Sequence, residues 1–258
     1  MPLKGKTVFI TGGTGGIGVP LVSMLREAGA TVKVYDRSQD GDLSENIDRI
    51  CNSLSENTPD ILINMAGFND FNYAEDQNYE AIHRLNLLVP MKLCQAALPG
   101  MKARNSGKIV NIGSMTALIP LPHLTGYASA KAGLKAFNDA LRRELGGTNI
   151  TVTHIIPRAV RTGANTGTRA EINEKTGVHH DNPEDVAKRI YKAIINNERE
   201  VRFGWPERLF AFLNANIPFI IDQGLQKNRK IGEEILNTHN SKMERNDEEN
   251  TSDKRLAS

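Results

Sequence analysis

Five glycines fall within eight residues in Thr11-Gly12-Gly13-Thr14-Gly15-Gly16-Ile17-Gly18. An apolar run, Lys6 to Ile10, precedes them, and helical spacing from Val19 to Ala28 follows. Strand, glycine turn and helix together constrain the fold more than any other feature of the chain. The arrangement opens a parallel α/β sheet and aims a helix N-terminus at the turn, where unpaired backbone N–H groups attract a pyrophosphate. Glycine lets the backbone turn tightly and lets phosphates approach without meeting a Cβ. The segment satisfies two glycine patterns, one through Gly13, Gly15 and Gly18 and one through Thr11, Gly12, Gly16 and Gly18. A plain glycine-rich turn is the other reading.

A second strand, Thr31 to Tyr35, ends at Asp36, eighteen residues beyond Gly18. A carboxylate there accepts hydrogen bonds from an adenosine ribose and repels a 2′-phosphate, which favours NAD over NADP. Arg37 argues the other way, because a guanidinium binds phosphate. Asp36 also reads as a turn residue.

Tyr127 and Lys131 stand one helical turn apart, thirteen and seventeen residues after Ser114. One turn puts phenol and ammonium on the same helix face. A neighbouring ammonium favours phenolate and draws a reference pKa of about 10 toward the range of a general acid–base. Ser114 follows the apolar run Gly107 to Ile112, and Asn64 closes another, Asp60 to Asn64. Such runs suit parallel strands covered on both faces, with ligands bound beyond their carboxyl ends. Asn86 lies inside a long helical stretch, Tyr79 to Met101, interrupted near Pro90.

On these residues the chain resembles the short-chain dehydrogenases/reductases of the single-domain type, from about Lys4 to Phe203. Thr11, Gly12, Gly16 and Gly18 match the family's cofactor loop. Asn64-Met65-Ala66-Gly67 matches its Asn-Asn-Ala-Gly motif, with Met65 in place of the second Asn. Asn86, Ser114, Tyr127 and Lys131 match its catalytic tetrad. The resemblance implies an α/β, doubly wound parallel sheet of Rossmann type and hydride transfer between a nicotinamide cofactor and a secondary alcohol or ketone. It implies that Tyr127 exchanges the proton, Lys131 lowers its pKa and bonds the nicotinamide ribose, Ser114 positions the substrate oxygen and Asn86 holds a water. Residues implied at the cofactor are Gly12, Thr14, Gly15, Gly16, Ile17, Gly18, Asp36, Asp42, Leu43, Asn64, Ala66, Gly67, Tyr127, Lys131, Pro157, Val160 and Thr162. NAD is the expected cofactor, no metal is expected, and a homodimer is the expected assembly.

Three departures from the family modify this reading. The segment from Asp36 to Asp60 is short, so the third strand is expected to be minimal or absent, with one helix missing. Ser44 to Leu54 then reads as a single helix with Ser44 as its N-cap. Arg158 replaces a glycine after Pro157. It is either strained, if positive φ is required there, or it presents a cation to the cofactor phosphates or to an acidic substrate. Finally, Trp205 to Ile221 carries the only tryptophan and, counted from Val201, half of the eight phenylalanines. It is too short and interrupted to span a bilayer, which takes about 20 apolar residues. Its apolar side chains are expected to be buried, as a pocket wall or against a second subunit, with a membrane interface as the third reading.

The chain divides into an expected dehydrogenase domain at 1–204, the apolar extension at 205–236 and a disordered polar tail at 237–258. At 258 residues one large α/β domain is expected. Thirty-two basic and thirty acidic residues leave a net charge of +2 without a basic stripe, so no nucleic-acid partner is expected. Cys51 and Cys94 lack metal spacing, and His179 and His180 have no third ligand nearby. Reduced thiols and an early first strand suggest a cytoplasmic protein without a signal peptide, possible peripheral membrane contact included. Gly163 to Asp181 reads as a mobile substrate loop. Two function classes remain: a dehydrogenase acting on a lipophilic or acyl-type carbonyl or alcohol, and a catalytically weak dinucleotide-binding protein working through its carboxyl-terminal segment.

Overall fold

The computed structural model describes residues 1–162, 168–239 and 241. Six parallel strands form one sheet: β1 (Thr7–Thr11), β2 (Thr31–Tyr35), β3 (Ile61–Asn64), β4 (Gly107–Ile112), β5 (Ile150–Ile156) and β6 (Glu200–Arg202), in the order β2-β1-β3-β4-β5-β6. The chain runs outward from β1 to β2, then returns to β3 on the other side of β1. The strand order therefore reverses beside β1, where a doubly wound sheet opens its ligand crevice.

Alternation along the strands sorts the core into two layers. Val8, Ile10, Ile61, Ile63, Val110, Ile112, Ile155 and Val201 face α1 (Gly18–Glu27) and α8 (Pro183–Asn196). Phe9, Tyr35, Leu62, Ile109 and Val152 face α3 (Ile47–Glu56) and α5 (Val89–Ala103), with Leu141 and Leu145 of the α6 (Thr125–Glu144) region. Each covering helix supplies an apolar stripe at helical spacing, as Leu21, Val22 and Leu25 do on α1. α8 has Asn182 as N-cap, its side chain accepting from the Glu184 N–H, and Pro183 at the first position.

The shortened segment gives a six-strand sheet. Between β2 and α3 there is a single helical turn, α2 (Arg37–Asp40), and no strand, so β2 becomes the edge of the sheet. Ser44 does not cap α3. It lies in a turn closed by its own N–H on Asp42 Oδ1 (2.8 Å), and the helix starts at Ile47. The long stretch after Tyr79 is three pieces: α4 (Tyr79–His83), a π-helical turn (Arg84–Leu88) and α5, which has Pro90 in its first turn. The expected loop before Asp181 contains a helix, α7 (Thr168–Lys175), while 163–167 lie outside the described residues.

After β6 come α9 (Trp205–Asn216), α10 (Pro218–Gly224) and a helix over 226–239. Within the single chain the apolar extension is not buried on its own domain, so the reading as packing on that domain is corrected, and burial against a second subunit or in a membrane interface stays an expectation. Trp205, Phe212 and Phe219 are 77%, 62% and 60% exposed, and Leu209, Phe210, Ile217 and Ile220 also face outward. The sides of α9 and α10 turned to the domain carry Glu207, Ala211, Asn214 and Ile221, and most of the other large apolar side chains lie on the side turned away. The expected polar tail begins as helix through 239, and the rest of that expectation lies outside the described residues apart from the helical Ser241.

Near the carboxyl ends of the strands a polar row crosses the sheet. Tyr35, Thr11, Asn64, Asn111, His154 and Glu200 are register partners from β2 to β6 and share the α3/α5/α6 face. Asn64 Nδ2 donates to Asn111 Oδ1 (2.8 Å), and Asn111 Nδ2 donates to Asn138 Oδ1 of α6 (3.0 Å). Lys135 of α6 pairs with Asp139 (2.7 Å) and Glu200 (3.7 Å). These polar contacts fix α6 against the strand ends, and α6 carries Tyr127 and Lys131.

Candidate active site

The glycine turn is built by contact as well as by conformation. Gly12 adopts φ +74°, and a Cβ there would come within 2.8 Å of the Ala66 N. At Gly18 a Cβ would meet the Gly12 carbonyl oxygen at 2.3 Å, so the start of α1 lies directly against the turn. A Cβ at Gly16 would strike Thr162 Cγ2 at 2.6 Å, which places the loop after β5 beside the turn. At Gly15 only the Gly12 carbonyl oxygen lies near, at 3.4 Å, and Thr14, Gly15 and Gly16 are exposed. Thr11 Oγ1 accepts from the N–H groups of Met65 and Ala66 (3.1 and 3.2 Å), tying the Asn64–Gly67 segment to the same mouth. A cleft of ≈ 670 Å³ runs from Gly13 and Thr14 past Val34 to Asp36 and Gln39. The open cradle suits a pyrophosphate on the α1 N-terminus, with an adenosine toward Asp36.

Asp36 caps α2. Its Oδ1 accepts from Ser38 N (2.8 Å) and Ser38 Oγ (2.7 Å), and those bonds hold its carboxyl below the usual range, with Thr14 adding to them. Arg37 turns to Asp42 (3.3 Å) on the exposed surface. Two of the residues placed at the cofactor by resemblance point their side chains elsewhere: Leu43 is buried among Tyr35 and Ile47, and Asn64 is buried in the polar row beside Cys94. Burial pushes the Cys94 thiol up to about 12, and Cys51 is likewise a free thiol.

The catalytic candidates converge at the ends of β3 and β4. Asn86 sits in the π-turn, fully buried, with its Nδ2 donating to the carbonyls of Phe68 (2.8 Å) and Ile82 (3.0 Å). A π-turn leaves the backbone ladder irregular, which frees the Ile82 carbonyl for that side chain. Asn86 Oδ1 is buried without a hydrogen-bond partner. It borders Gly67, where a Cβ would lie 2.5 Å from Asn86 Oδ1 and 3.6 Å from Lys131 Nζ. An orphaned buried acceptor beside an ammonium suits an ordered water.

Lys131 Nζ donates to the Ile112 carbonyl (3.0 Å) and lies 5.7 Å from the centre of the half-buried Tyr127 ring. Burial disfavours its charged form and draws its pKa down to about 8. Ser114 Oγ accepts from Thr116 N (3.2 Å) and Thr116 Oγ1 (2.9 Å), which leaves its own hydroxyl hydrogen as a donor. The sequence reading missed Gln77. Its Oε1 accepts from Gly126 N (2.9 Å) and Thr125 Oγ1 (3.2 Å), while its Nε2 donates to the carbonyls of Asn72 and His123. It thereby fixes the first turn of α6, directly before Tyr127. Asn111 and His154, near the ends of apolar runs, and Asn138, inside α6, were missed as well, because none of them belongs to a motif.

Comparison with known proteins agrees with this geometry. The family model described as short chain dehydrogenase matches residues 41–173, which include Asn86, Ser114, Tyr127 and Lys131 and exclude the glycine turn. The ketoacyl reductase HetN of Nostoc sp. is 33% identical over 235 residues, covering 77% of this chain and 78% of HetN. The D-xylose 1-dehydrogenase of Caulobacter vibrioides is 33% identical over 183 residues, 62% of this chain and 74% of that protein. A short chain dehydrogenase from Burkholderia cenocepacia, solved in complex with NADP, superposes with a TM-score of 0.73 at 20% identity, covering 88% of this chain and 100% of that one. The chain belongs to the short-chain dehydrogenase family.

In this short-chain dehydrogenase Arg158 has found a use that neither expectation covers. Its φ is not positive, so the side chain is accommodated without left-handed strain. The guanidinium grips Asp181 with Nε and Nη2 (2.9 and 2.8 Å) and Glu207 with Nη1 (3.1 Å), and these partners push its pKa upward. Its charge is therefore committed to joining the loop after β5, the start of α8 and the first turn of α9. Val160 forms a parallel bridge with Asp181, and Arg161 N–H and Asp181 N–H bond across the same junction.

The carboxyl-terminal helices of the dehydrogenase reach the loops around Ser114. Asn214 Nδ2 of α9 donates to the Leu118 carbonyl (3.0 Å). From the helix over 226–239, the Arg229 carbonyl accepts from His123 Nε2 (3.2 Å), and Tyr73 Oη donates to Asn237 Oδ1 (3.0 Å). His239 approaches Glu171 of α7 at 3.4 Å. Among the described residues no three metal-ligating side chains converge.

Proposed function

We propose that the protein is an NAD-preferring dehydrogenase that moves a hydride between nicotinamide and a secondary alcohol or ketone of apolar, acyl-type character. The observation that carries the reading is the cluster around Gly67: Lys131 with its lowered pKa, the orphaned Asn86 Oδ1 and the Tyr127 ring beneath the ammonium. A bound nicotinamide supplies the carbon that carries the hydride. Tyr127 Oη gives its proton to the carbonyl oxygen in reduction and takes it back in oxidation. Lys131 stabilises the phenolate left behind, and its own pKa near 8 lets it hand on a proton at neutral pH. Asn86 Oδ1 would hold the water that receives that proton. The Ser114 hydroxyl donates to the substrate oxygen and holds it near Tyr127.

The preference for NAD rests on Asp36. Its carboxylate is kept ionised by Ser38, beside Thr14, where a 2′-phosphate would bring like charges together. Arg37 is turned to Asp42 on a largely exposed surface, a weak restraint. The acyl reading draws on the similarity to HetN, a ketoacyl reductase. The exposed apolar patch of the carboxyl-terminal helices favours the second reading, a weakly catalytic dinucleotide-binding module.

The test is turnover on a panel of apolar ketones and alcohols, with calorimetry of both cofactors. Tyr127→Phe should reduce kcat by about 10²–10⁴-fold and leave cofactor affinity within a factor of about two. Activity near the parent's would remove Tyr127 from the chemistry. Tighter binding of NADP than of NAD would show that Arg37 outweighs Asp36. No turnover by the parent on any carbonyl, with cofactor bound, would favour the binding module.

A further inference from the structure

Among the described residues His154 is the only histidine in the buried core. It is 1% exposed, and neither Nδ1 nor Nε2 has a hydrogen-bond partner. Burial first, then the Lys135 and Lys131 ammoniums, draws its pKa down to about 3, with Asp139 opposing and Arg202 adding to them. The ring therefore stays uncharged across the neutral range. A buried imidazole without hydrogen bonds lowers stability where an apolar side chain of similar size would not. The reaction assigned above makes no use of it.

The ring is committed to one contact. Ile109, Asn111 and Gly113 of the β4 end point to the same face of the sheet as Val152 and His154 of β5. A Cβ at Gly113 would lie 2.4 Å from His154 Nε2 and 2.9 Å from its Cε1, so the rim of the ring fills the space of a side chain at 113. Positive φ does not explain this glycine, since its φ is not positive. The neighbouring ring does. In the tautomer protonated at Nδ1, Nε2 carries no hydrogen, and the flat edge approaches a Cα more closely than a methyl group can.

Gly113 stands between two parts of the candidate active site. Before it, the Ile112 carbonyl accepts from Lys131 Nζ (3.0 Å), and after it comes the Ser114 hydroxyl. The same stretch is laced to the end of β5, Gly113 N–H donating to the Ile155 carbonyl (2.7 Å) and Met115 N–H to the Pro157 carbonyl (2.9 Å). Those bonds lie along the sheet. Perpendicular to it, on the face where α6 brings Lys131, the imidazole is what Gly113 rests against.

We propose that His154 is a positioning residue, whose imidazole holds the Gly113 backbone and with it the Ser114 hydroxyl and the Ile112 carbonyl that anchors Lys131. This role rests on the assignment of Ser114 and Lys131 to the reaction. A displaced Gly113 would move a substrate donor and an ammonium anchor together, so the chemical step should suffer more than cofactor binding.

The test is a double-mutant cycle in the full chain, read as kcat on a carbonyl or alcohol that the parent turns over, with calorimetry of the cofactor and the thermal midpoint. Gly113→Ala drives a methyl into the ring, and His154→Ala removes the support. Each should lower kcat by about tenfold or more and leave cofactor affinity within a factor of about two. In Gly113→Ala/His154→Ala the new methyl has room, and kcat should return to within about threefold of the parent. Losses that multiply in the double variant would overturn the role, and so would single variants that lower only the midpoint and keep the parent's kcat. His154→Leu serves where His154→Ala does not fold. It removes two unpaired nitrogens, so it should be at least as stable as the parent. Its branched end cannot take the place of the ring edge, so it should still lose kcat, and parental activity would overturn the role. A parent that binds cofactor and turns over no carbonyl or alcohol would remove the dehydrogenase reading and this role together. An active parent whose variants do not couple would remove this role alone.

Discussion

Lys131 shows a site taking precedence over stability. A lysine in the unfolded chain titrates near 10.4, and burial in the fold lowers this one to about 8. Between those values the unfolded state binds the extra proton, so stability rises with pH across the interval. Below about pH 8 the full penalty applies, roughly 3 kcal/mol at 1.36 kcal/mol for each unit of the difference. Lys131→Met should therefore be inactive yet more stable than the parent at neutral pH. The gap should close as pH rises from about 8 toward about 10.5, and urea denaturation across that range would measure it. A gap that stays constant or widens with pH would show that the ammonium is not penalised by burial. Tyr127, Lys131, Ser114 and Asn86 were singled out in the sequence because the chemistry proposed for them fixes residue type and spacing together. Gln77 and Asn138 were not, because a buried amide is defined by its partners, and those are forty-nine and twenty-seven residues away in the chain.

At the level of elements, the sequence spoke most clearly where one force decided the outcome. Gly107–Ile112 and Thr31–Tyr35 formed strands over the expected residues because continuous apolar or alternating patterns admit few other buried conformations. The loss of the third strand followed from chain length alone. Ser44 misled because serine also closes turns, and here Asp42 drew its N–H into one. The outward face of α9 does not pack on its own domain, because the direction of burial within the chain is set by which stripe meets Arg158 and Leu118. Arg158 is now the pin of that junction. Its side chain and those of Asp181 and Glu207 are 20%, 16% and 24% exposed, so solvent screens the ion pairs only in part. Arg158→Ala should lower stability by about 2 kcal/mol, below the roughly 3–5 kcal/mol for stranding a fully buried charge because these pairs are partly screened. Thermal denaturation would read this, and protease cleavage between β6 and α9 should quicken. Adding Asp181→Asn and Glu207→Gln should recover part of the loss. An unchanged midpoint would mean that the apolar contacts of Ala211 and Ile221 hold α9 without the ion pairs.

For the whole molecule, the expected assembly is a dimer through the helices that carry Asn86 and Tyr127, leaving the α9–α10 face outside the contact. Sedimentation should give the same dimer mass for the parent and for Phe212→Ser/Phe219→Ser. A monomeric parent would overturn the dimer, and a monomeric serine variant beside a dimeric parent would place the contact on the α9–α10 face. The missing third strand has a further consequence, for the protein's behaviour when concentrated. With β2 at the rim, a row of backbone donors and acceptors lies open to any extended chain that drifts alongside, and such a rim can seed fibrils. Lys33, exposed at the centre of β2, is the charge that an incoming strand would have to bury. Lys33→Val would turn Thr31–Tyr35 into an uncharged, β-branched ribbon. Its solutions should develop thioflavin-positive fibres under conditions in which the parent stays clear. In this chain one ammonium on an edge strand takes over the guard duty that a further strand would otherwise perform.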